Sequence, residues 1–502
     1  MPTLSSSISA YLLSSNMLIG RSPNMQKQPI RALKKSKGAL LFFLMFALLQ
    51  GSFYITTVGA LSLPDPNIHA YASYAAATGQ ILNKPDLHVD HYGNTTKIQQ
   101  LHGDSRFLSL QGCQNALVAT LLNQTADYDP AIEAQKAVNN SAPSREVTTD
   151  SLKLTNRANQ YFPAVFLPQA MGIWMGLHTH QSPYQTWQLG RMSNLLVYTI
   201  MFCLAIVIIP RGKIFLAIIG ALPHGMFIAS SLMADSLFIS LCAVFIALFM
   251  AITTRNQPAT RTEMIAVSVL TVLLFMCKTV YASLVILILV LPRRILSTKR
   301  KALYLGFSAL IILAVYSTWS SLYSTVWAEA SVSQNLIFMI RHPLRMFIAV
   351  AWNFMREPMQ LLRLGAPSIL LVVIIGLALG LLIHNFPRPR YKVTSTREFI
   401  SIYRYQITSA FAFLLLIYMV YAAMMLTWNT LPLMRIGDSI KGIQARYFEP
   451  FLPLLVCIVF HAPGENLTAT KDSKAESNKT QPPKIKETGE ETTKKSQNTE
   501  AI

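Results

Sequence analysis

"KIFLAIIGALPHGMFIASSLMADSLFISLCAVFIALFMAITT", residues 213–254, carries one acidic residue, Asp235, and one basic residue, Lys213. Wound as a single helix it would run roughly 60 Å, about twice the ~30 Å hydrocarbon core of a bilayer. It reads as two membrane crossings. The natural turn between them is "SSLMADS", which puts Asp235 at a membrane face.

The rest of the chain repeats this pattern. Of 502 residues, 52% are hydrophobic and 13% charged, about half the charged fraction of an ordinary soluble domain. Runs of about 20 apolar residues recur, and the fold class is all-α, a polytopic helical membrane protein. A net charge of +20 would suggest nucleic acid in a soluble chain. Here basic residues mark cytoplasmic loops, so no nucleic-acid partner is inferred. No Walker loop, dinucleotide fingerprint or C-x-x-C pair is present. Cys203, Cys242, Cys277 and Cys457 lie in apolar runs and Cys113 in a polar loop, so no disulfide framework is implied.

Residues 1–38 form a basic tail with Arg21, Lys27, Arg31, Lys34, Lys35 and Lys37 and no acid. The run from Ala39 to Leu61 is too long for a signal-peptide core and is read as an uncleaved first span with a cytoplasmic N-terminus. Residues 62–188 follow as a large first extracytoplasmic region with seven Lys/Arg and nine Asp/Glu. Near its end Pro163 and Pro168 interrupt "YFPAVFLPQAMGIWMGL", which suits a helix lying on the membrane better than a span.

Met264–Leu291 contains one charge, Lys278. Read as a single helix it would expose "RRILSTKRK" (293–301) outside, against the positive-inside rule; two short spans turning at Lys278 keep it in the cytoplasm. The expected membrane domain, 39–462, then has about ten spans: 39–61, 189–210, 213–232, 235–253, 262–277, 279–292, 302–322, 366–386, 405–428 and 447–462. Both termini are cytoplasmic in this topology. Segment 323–365 is a second extracytoplasmic region containing an interfacial amphipathic helix, and 463–502 is a disordered tail with seven basic and seven acidic residues.

This topology collects Asp65, His69, Arg191, Asp235, Lys278, Arg435, Lys441 and Arg446 on the outer face. Segment 323–365 adds Arg341, His342, Arg345, Arg356 and Arg363. Basic side chains there either snorkel to lipid headgroups or grip a phosphate. Lys278, at a turn between short spans, needs a partner, and Asp235 is the candidate. In "PDPNIH" (64–69) Asp65 precedes a proline, the pattern of a helix N-cap, and His69 falls on the same face one turn later. A capping carboxylate can still accept a proton. No histidine pair has convincing metal-ligand spacing, and no metal site is assigned.

"LPDPNIHAYASYAAATGQIL" resembles the start of bacterial membrane proteins of domain-of-unknown-function family 2142, whose pattern is Pro-Asp-Glu-x-x-His. Similar blocks follow in the family's order: "YFPAVFLPQAMGIWMG", "LGRMSNLLVYTIMFCLAIVIIP", "ALPHGMFIASSLMADSLFISLCAVF", "KTVYASLVILILVLP" and "GIQARYFEPFLPLL". The family's Glu after Asp65 is Pro66 here, and its Gly before Arg446 is Ala445.

That family is similar to the GT-C class of multi-spanning glycosyltransferases. The resemblance implies a bacterial plasma-membrane protein that moves a sugar from a polyprenyl-phosphate donor to a cell-envelope glycan acceptor on the outer face. It implies Asp65, His69 and Asp235 as catalytic residues. It further implies Lys278, Arg446 and Arg191 on the donor phosphate and Tyr447 against a sugar. No cofactor is assigned, and a divalent metal stays open. A transporter or flippase of lipid-linked glycan, or a non-catalytic assembly protein, are the alternatives.

Overall fold

The computed structural model describes residues 23–59, 66–103, 154–156, 158–255, 257–323, 328–356, 395–432 and 438–460. Asp65, Cys113, Arg363, Arg435, the expected span 366–386 and the tail 463–502 lie outside the described residues. Two compact units divide the chain, 1–387 with 404–461 and 388–403 with 462–502. In the second, the described residues form a short helix, α13 (Thr396–Ile402), whose start is capped by the Ser395 hydroxyl accepting from the Glu398 amide.

In the first unit five helices are long and apolar enough to cross a membrane. They are the Lys34–Thr57 part of α1 (Pro23–Thr57), α4 (Pro183–Ile208), α7 (Asp235–Arg255), α10 (Thr298–Leu322) and α14 (Arg404–Trp428). Between them lie α2 (Pro66–Ala77), α3 (Leu167–His178), α5 (Lys213–Gly220), α6 (Pro223–Ala229), α8 (Arg261–Cys277), α9 (Val285–Leu289), α11 (Val332–Arg341) and α12 (Pro343–Arg356). A last short helix covers Leu454–Phe460. Helix α7 is apolar nearly all round and buried nearly all round, so it is the central post. By contrast α1 buries Phe43 and Ala47 and leaves Leu41, Leu44 and Leu48 outward, and α10 exposes Leu303, Leu310 and Leu313.

Three expectations change. The segment 213–232 is not one helix. Pro223 has no amide hydrogen, and its ring would strike the carbonyl of residue 219, so α5 stops at Gly220 and α6 restarts at Pro223. Two carbonyls freed by the break are recaptured by the Tyr198 hydroxyl, which donates to Gly220 O at 3.0 Å, and by Gln50 Nε2, which donates to Ala221 O at 2.9 Å. Secondly, the fold is not purely α. Strands β1 (Asp86–Val89), β2 (Thr95–Leu101) and β3 (Leu154–Asn156) form an antiparallel sheet with Asp86 opposite Ile98 and Gln99 opposite Asn156. Its β1–β2 turn is closed by the Asp90 carboxylate, which accepts from the Tyr92 and Asn94 amides. Thirdly, the amphipathic helix expected in 323–365 is two helices, broken at His342 before Pro343.

Lys278 interrupts the Met264–Leu291 run, as the charge pattern suggested. Helix α8 ends at Cys277, Lys278 is extended (φ −153°, ψ 132°), and a 3-10 turn, Thr279–Leu284, leads into α9.

Helices α3 and α4 approach so closely that a Cβ on Gly172 would run into the Leu189 carbonyl oxygen and the Gly190 Cα. Backbone cannot yield as a side chain does, so Gly172→Ala should cost at least about 2 kcal/mol. Gly306→Ala on α10 meets nothing within 4 Å and should stay within about 1 kcal/mol of wild type. Thermal unfolding of both variants in detergent checks the contrast.

Candidate functional site

Asp235 is the first residue of α7 and only 1% exposed. A carboxylate at a helix N-terminus is favoured by the helix dipole, but burial at this depth demands cations. They come from distant parts of the chain. Lys278 Nζ donates to Asp235 Oδ1 at 3.3 Å; Arg446 Nε is 3.8 Å from Oδ2, and His69 Nε2 is 3.9 Å from the same oxygen. Each is delivered by a local irregularity or a short element: Lys278 by the break after α8, Arg446 by the 3-10 turn Ala445–Tyr447, and His69 by α2.

Aromatic rings surround the Lys278 ammonium. It sits 4.0 Å from the Tyr447 ring centre, 5.6 Å from Phe238 and 5.8 Å from Tyr161. The Arg446 guanidinium carbon is 5.4 Å from the same Tyr447 ring, so Tyr447 lies against both cations. Burial pushes the Tyr161 phenol up, with Lys278 pulling it the other way, and it remains a neutral hydroxyl.

Lys278, Arg446, His69 and Tyr447 line one end of a cavity of about 920 Å³. Asp235 does not line it and lies behind the cations. One carboxylate against a lysine and an arginine leaves one excess positive charge at the cavity floor, with the His69 imidazole beside it. Tyr161, Phe162, Tyr316 and Trp319 form an aromatic wall, and Val420 and Met424 of α14 an apolar one. The β1–β2 hairpin covers part of the cavity with His88, His91 and Tyr92. Lys97 fixes that hairpin by donating to the Ser320 and Ser321 carbonyls at the end of α10, and Asn159 by donating to Lys97 O and Tyr323 O.

The sequence-derived site residues therefore separate. His69, Asp235, Lys278, Arg446 and Tyr447 come together. Arg191, expected on a phosphate, does not reach the cavity: its buried guanidinium donates to the carbonyls of Tyr54 (2.7 Å), Val58 (2.9 Å) and Ser230 (2.7 Å). Those carbonyls lie at the C-terminal end of α1 and in the turn before α7, where few backbone donors remain to meet them. Asp65 lies outside the described residues. Among the described residues no group of three or more His, Cys, Asp and Glu side chains is placed to hold a metal ion.

One pair went unnoticed in the sequence. His224 Nδ1 and Glu449 Oε1 are 2.8 Å apart, both side chains buried, where α6 begins. Glu449 follows Arg446 by three residues, so the segment carrying Arg446 is held at two points. The signal was available: a histidine and a glutamate each sit inside an apolar run, where ionisable groups need a specific partner.

Asp235→Asn leaves two cations facing a neutral amide and should cost up to about 3–5 kcal/mol. Adding Lys278→Met should restore part of that loss. A double-mutant cycle on thermal unfolding checks it; strict additivity of the two changes would show that the pair is not coupled.

Comparison with curated proteins and with solved structures finds no match. A family model does match, described as predicted membrane protein (DUF2142), over residues 46–455. That stretch is well over half of the chain and contains every residue of the site: the chain belongs to the DUF2142 family of predicted membrane proteins.

Proposed function

We propose that this membrane protein is a glycosyltransferase of the GT-C kind, which transfers a sugar from a polyprenyl-phosphate donor to a cell-envelope glycan acceptor at the outer face of a bacterial plasma membrane. The observation that carries the reading is the cation-rich floor of the 920 Å³ cavity, anchored from behind by Asp235 and walled by aromatic and apolar side chains. A phosphate suits the floor, a sugar the aromatic rings, and a polyprenyl chain the apolar wall of α14.

In the proposed reaction an acceptor hydroxyl oxygen bonds to the anomeric carbon as the bond from that carbon to the phosphate oxygen breaks. The acceptor proton passes to a base, the Asp65 carboxylate, with His69, four residues later in sequence, assisting from α2. The electron pair leaves with the polyprenyl phosphate, whose growing negative charge Lys278 and Arg446 neutralise. Asp235 positions those two cations, and Tyr447 packs against both cations and the sugar face. On this reading the floor faces the outer surface, as the topology expected from the basic loops requires.

A second reading has its own support. A helix pair broken between Gly220 and Pro223, beside the buried His224–Glu449 pair, is the kind of feature found in transporters. On that reading the lipid-linked glycan is moved across the membrane and not cleaved.

Purified full-length protein in lipid nanodiscs, given labelled polyprenyl-phosphate sugar and a cell-envelope glycan acceptor, should release free polyprenyl phosphate. Lys278→Met should slow that release by about 10²–10³-fold, the usual effect of removing one charge-stabilising donor. Asp65→Asn should abolish turnover while donor binding survives. Translocation of the label across sealed vesicles without cleavage would replace the transferase reading with the transporter.

A further inference from the structure

Helices α11 and α12 carry a feature that the cavity chemistry does not use. On α12, Met346, Ala349, Val350 and Asn353 face the protein and are buried, while Leu344, Phe347, Ile348, Trp352 and Met355 are exposed. The exposed set recurs at three- and four-residue spacing, so it is a continuous apolar stripe along one face of the helix. Helix α11 continues it with Leu336, Ile337 and Ile340. At ten and fourteen residues, the two helices are roughly 15 and 21 Å long, and the break at His342 prevents them from forming one span.

Two buried asparagines fix the pair from the protein side. Asn335 donates to the carbonyls of Met425 (3.2 Å), Leu426 (3.0 Å) and Asn429 (2.6 Å), closing the C-terminal end of α14. Asn353 donates to Asp438 O at 3.1 Å and accepts from the Ile440 amide at 3.1 Å. The pair is therefore tied to the end of a membrane-length helix, the same end at which Thr427 and Trp428 line the cavity. Its charge is one-sided. Residues 332–356 contain Arg341, Arg345, Arg356 and His342 and no acid. Arg341 and His342 are exposed at the corner between the helices, and the Arg345 guanidinium carbon lies 5.8 Å from the Phe338 ring across that corner.

We infer that α11 and α12 form a ledge lying in the membrane interface, with the stripe from Leu336 to Met355 in the upper acyl region and the Arg341–Arg345 corner on the headgroups of anionic phospholipid. An apolar face lying along the bilayer, with Arg341, His342 and Arg345 at its corner, is complementary to that surface. A second protein chain would bury the stripe without needing the cationic corner.

Trp352 reports on the ledge directly. The full chain is placed in phosphatidylcholine vesicles with a minor fraction of phosphatidylglycerol, and tryptophan quenching by bromine on the acyl chains is measured for wild type and Trp352→Phe. The difference between the two isolates Trp352, and Trp352→Tyr gives the same subtraction if the phenylalanine variant folds poorly. The expected result is stronger quenching by bromine near the headgroup than by bromine at the chain end. With bromine on phosphatidylglycerol alone, quenching should exceed that lipid's share of the bilayer, by a factor on the order of five per arginine. Arg341→Gln with Arg345→Gln should bring it back to that share. Quenching strongest at the chain end would mean a spanning helix, and absence of quenching would mean a face covered by protein; either overturns the proposal. Quenching that follows the lipid's share in wild type overturns the anionic preference. No sugar transfer enters the readout, so the ledge stands or falls apart from the transferase reading.

Discussion

The site depends on a buried carboxylate that faces two cations. Moving an unpaired lysine or arginine out of water costs several kcal/mol even after relaxation, and Lys278 and Arg446 are largely buried against the Tyr447 ring. Asp235 makes that position tolerable. In return its own burial is tolerable only because both cations converge on it, from 43 and 211 residues further along the chain. One side chain thus couples the start of α7, the break after α8 and the 3-10 turn at Ala445–Tyr447. The extended backbone of Lys278 belongs to the same constraint, because the helix has to stop for that residue to reach the carboxylate.

The balance of charge is asymmetric in a useful way. Asp235 is enclosed on the far side of its partners, while Lys278, Arg446 and His69 line the cavity. A ligand entering the cavity meets the Lys278 and Arg446 cations and ring faces, with the Asp90 and Glu329 carboxylates also in the lining. Preorganised cations held by a hidden anion stabilise negative charge without having to reorient when it appears. That geometry suits Asp235 to holding its cations in place, since it does not itself line the cavity.

Much of this was legible in the sequence, for a specific reason. Charges inside apolar runs are costly and few, so Asp235 and Lys278 stood out as partners, and the alternation of basic loops supported a break at Lys278. Arg191 looked the same by that criterion, yet its partners are backbone carbonyls at the end of α1, and carbonyls have no sequence signature. The β1–β2 hairpin was hidden because its strands are short and polar, with too little alternation to register. Pro223 was visible but lay within an apolar run long enough for two spans, and hydropathy is blind to a break whose carbonyls are rescued by Tyr198 and Gln50.

The segment from Arg446 to Glu449 shows how a membrane protein can set register without a continuous helix. It meets the start of α6 and the start of α7 at two points of opposite sign: Arg446 against Asp235, and Glu449 against His224. Sliding the segment by three residues would bring Glu449 to Asp235, two carboxylates in a place with little water to screen them, and would leave Arg446 without its acid. Each pair alone is poor evidence of stability, since a buried ion pair can cost as much in desolvation as it returns. Together they penalise the wrong register far more than they favour the right one. The position of Tyr447, and with it the ring against Lys278, follows from that exclusion.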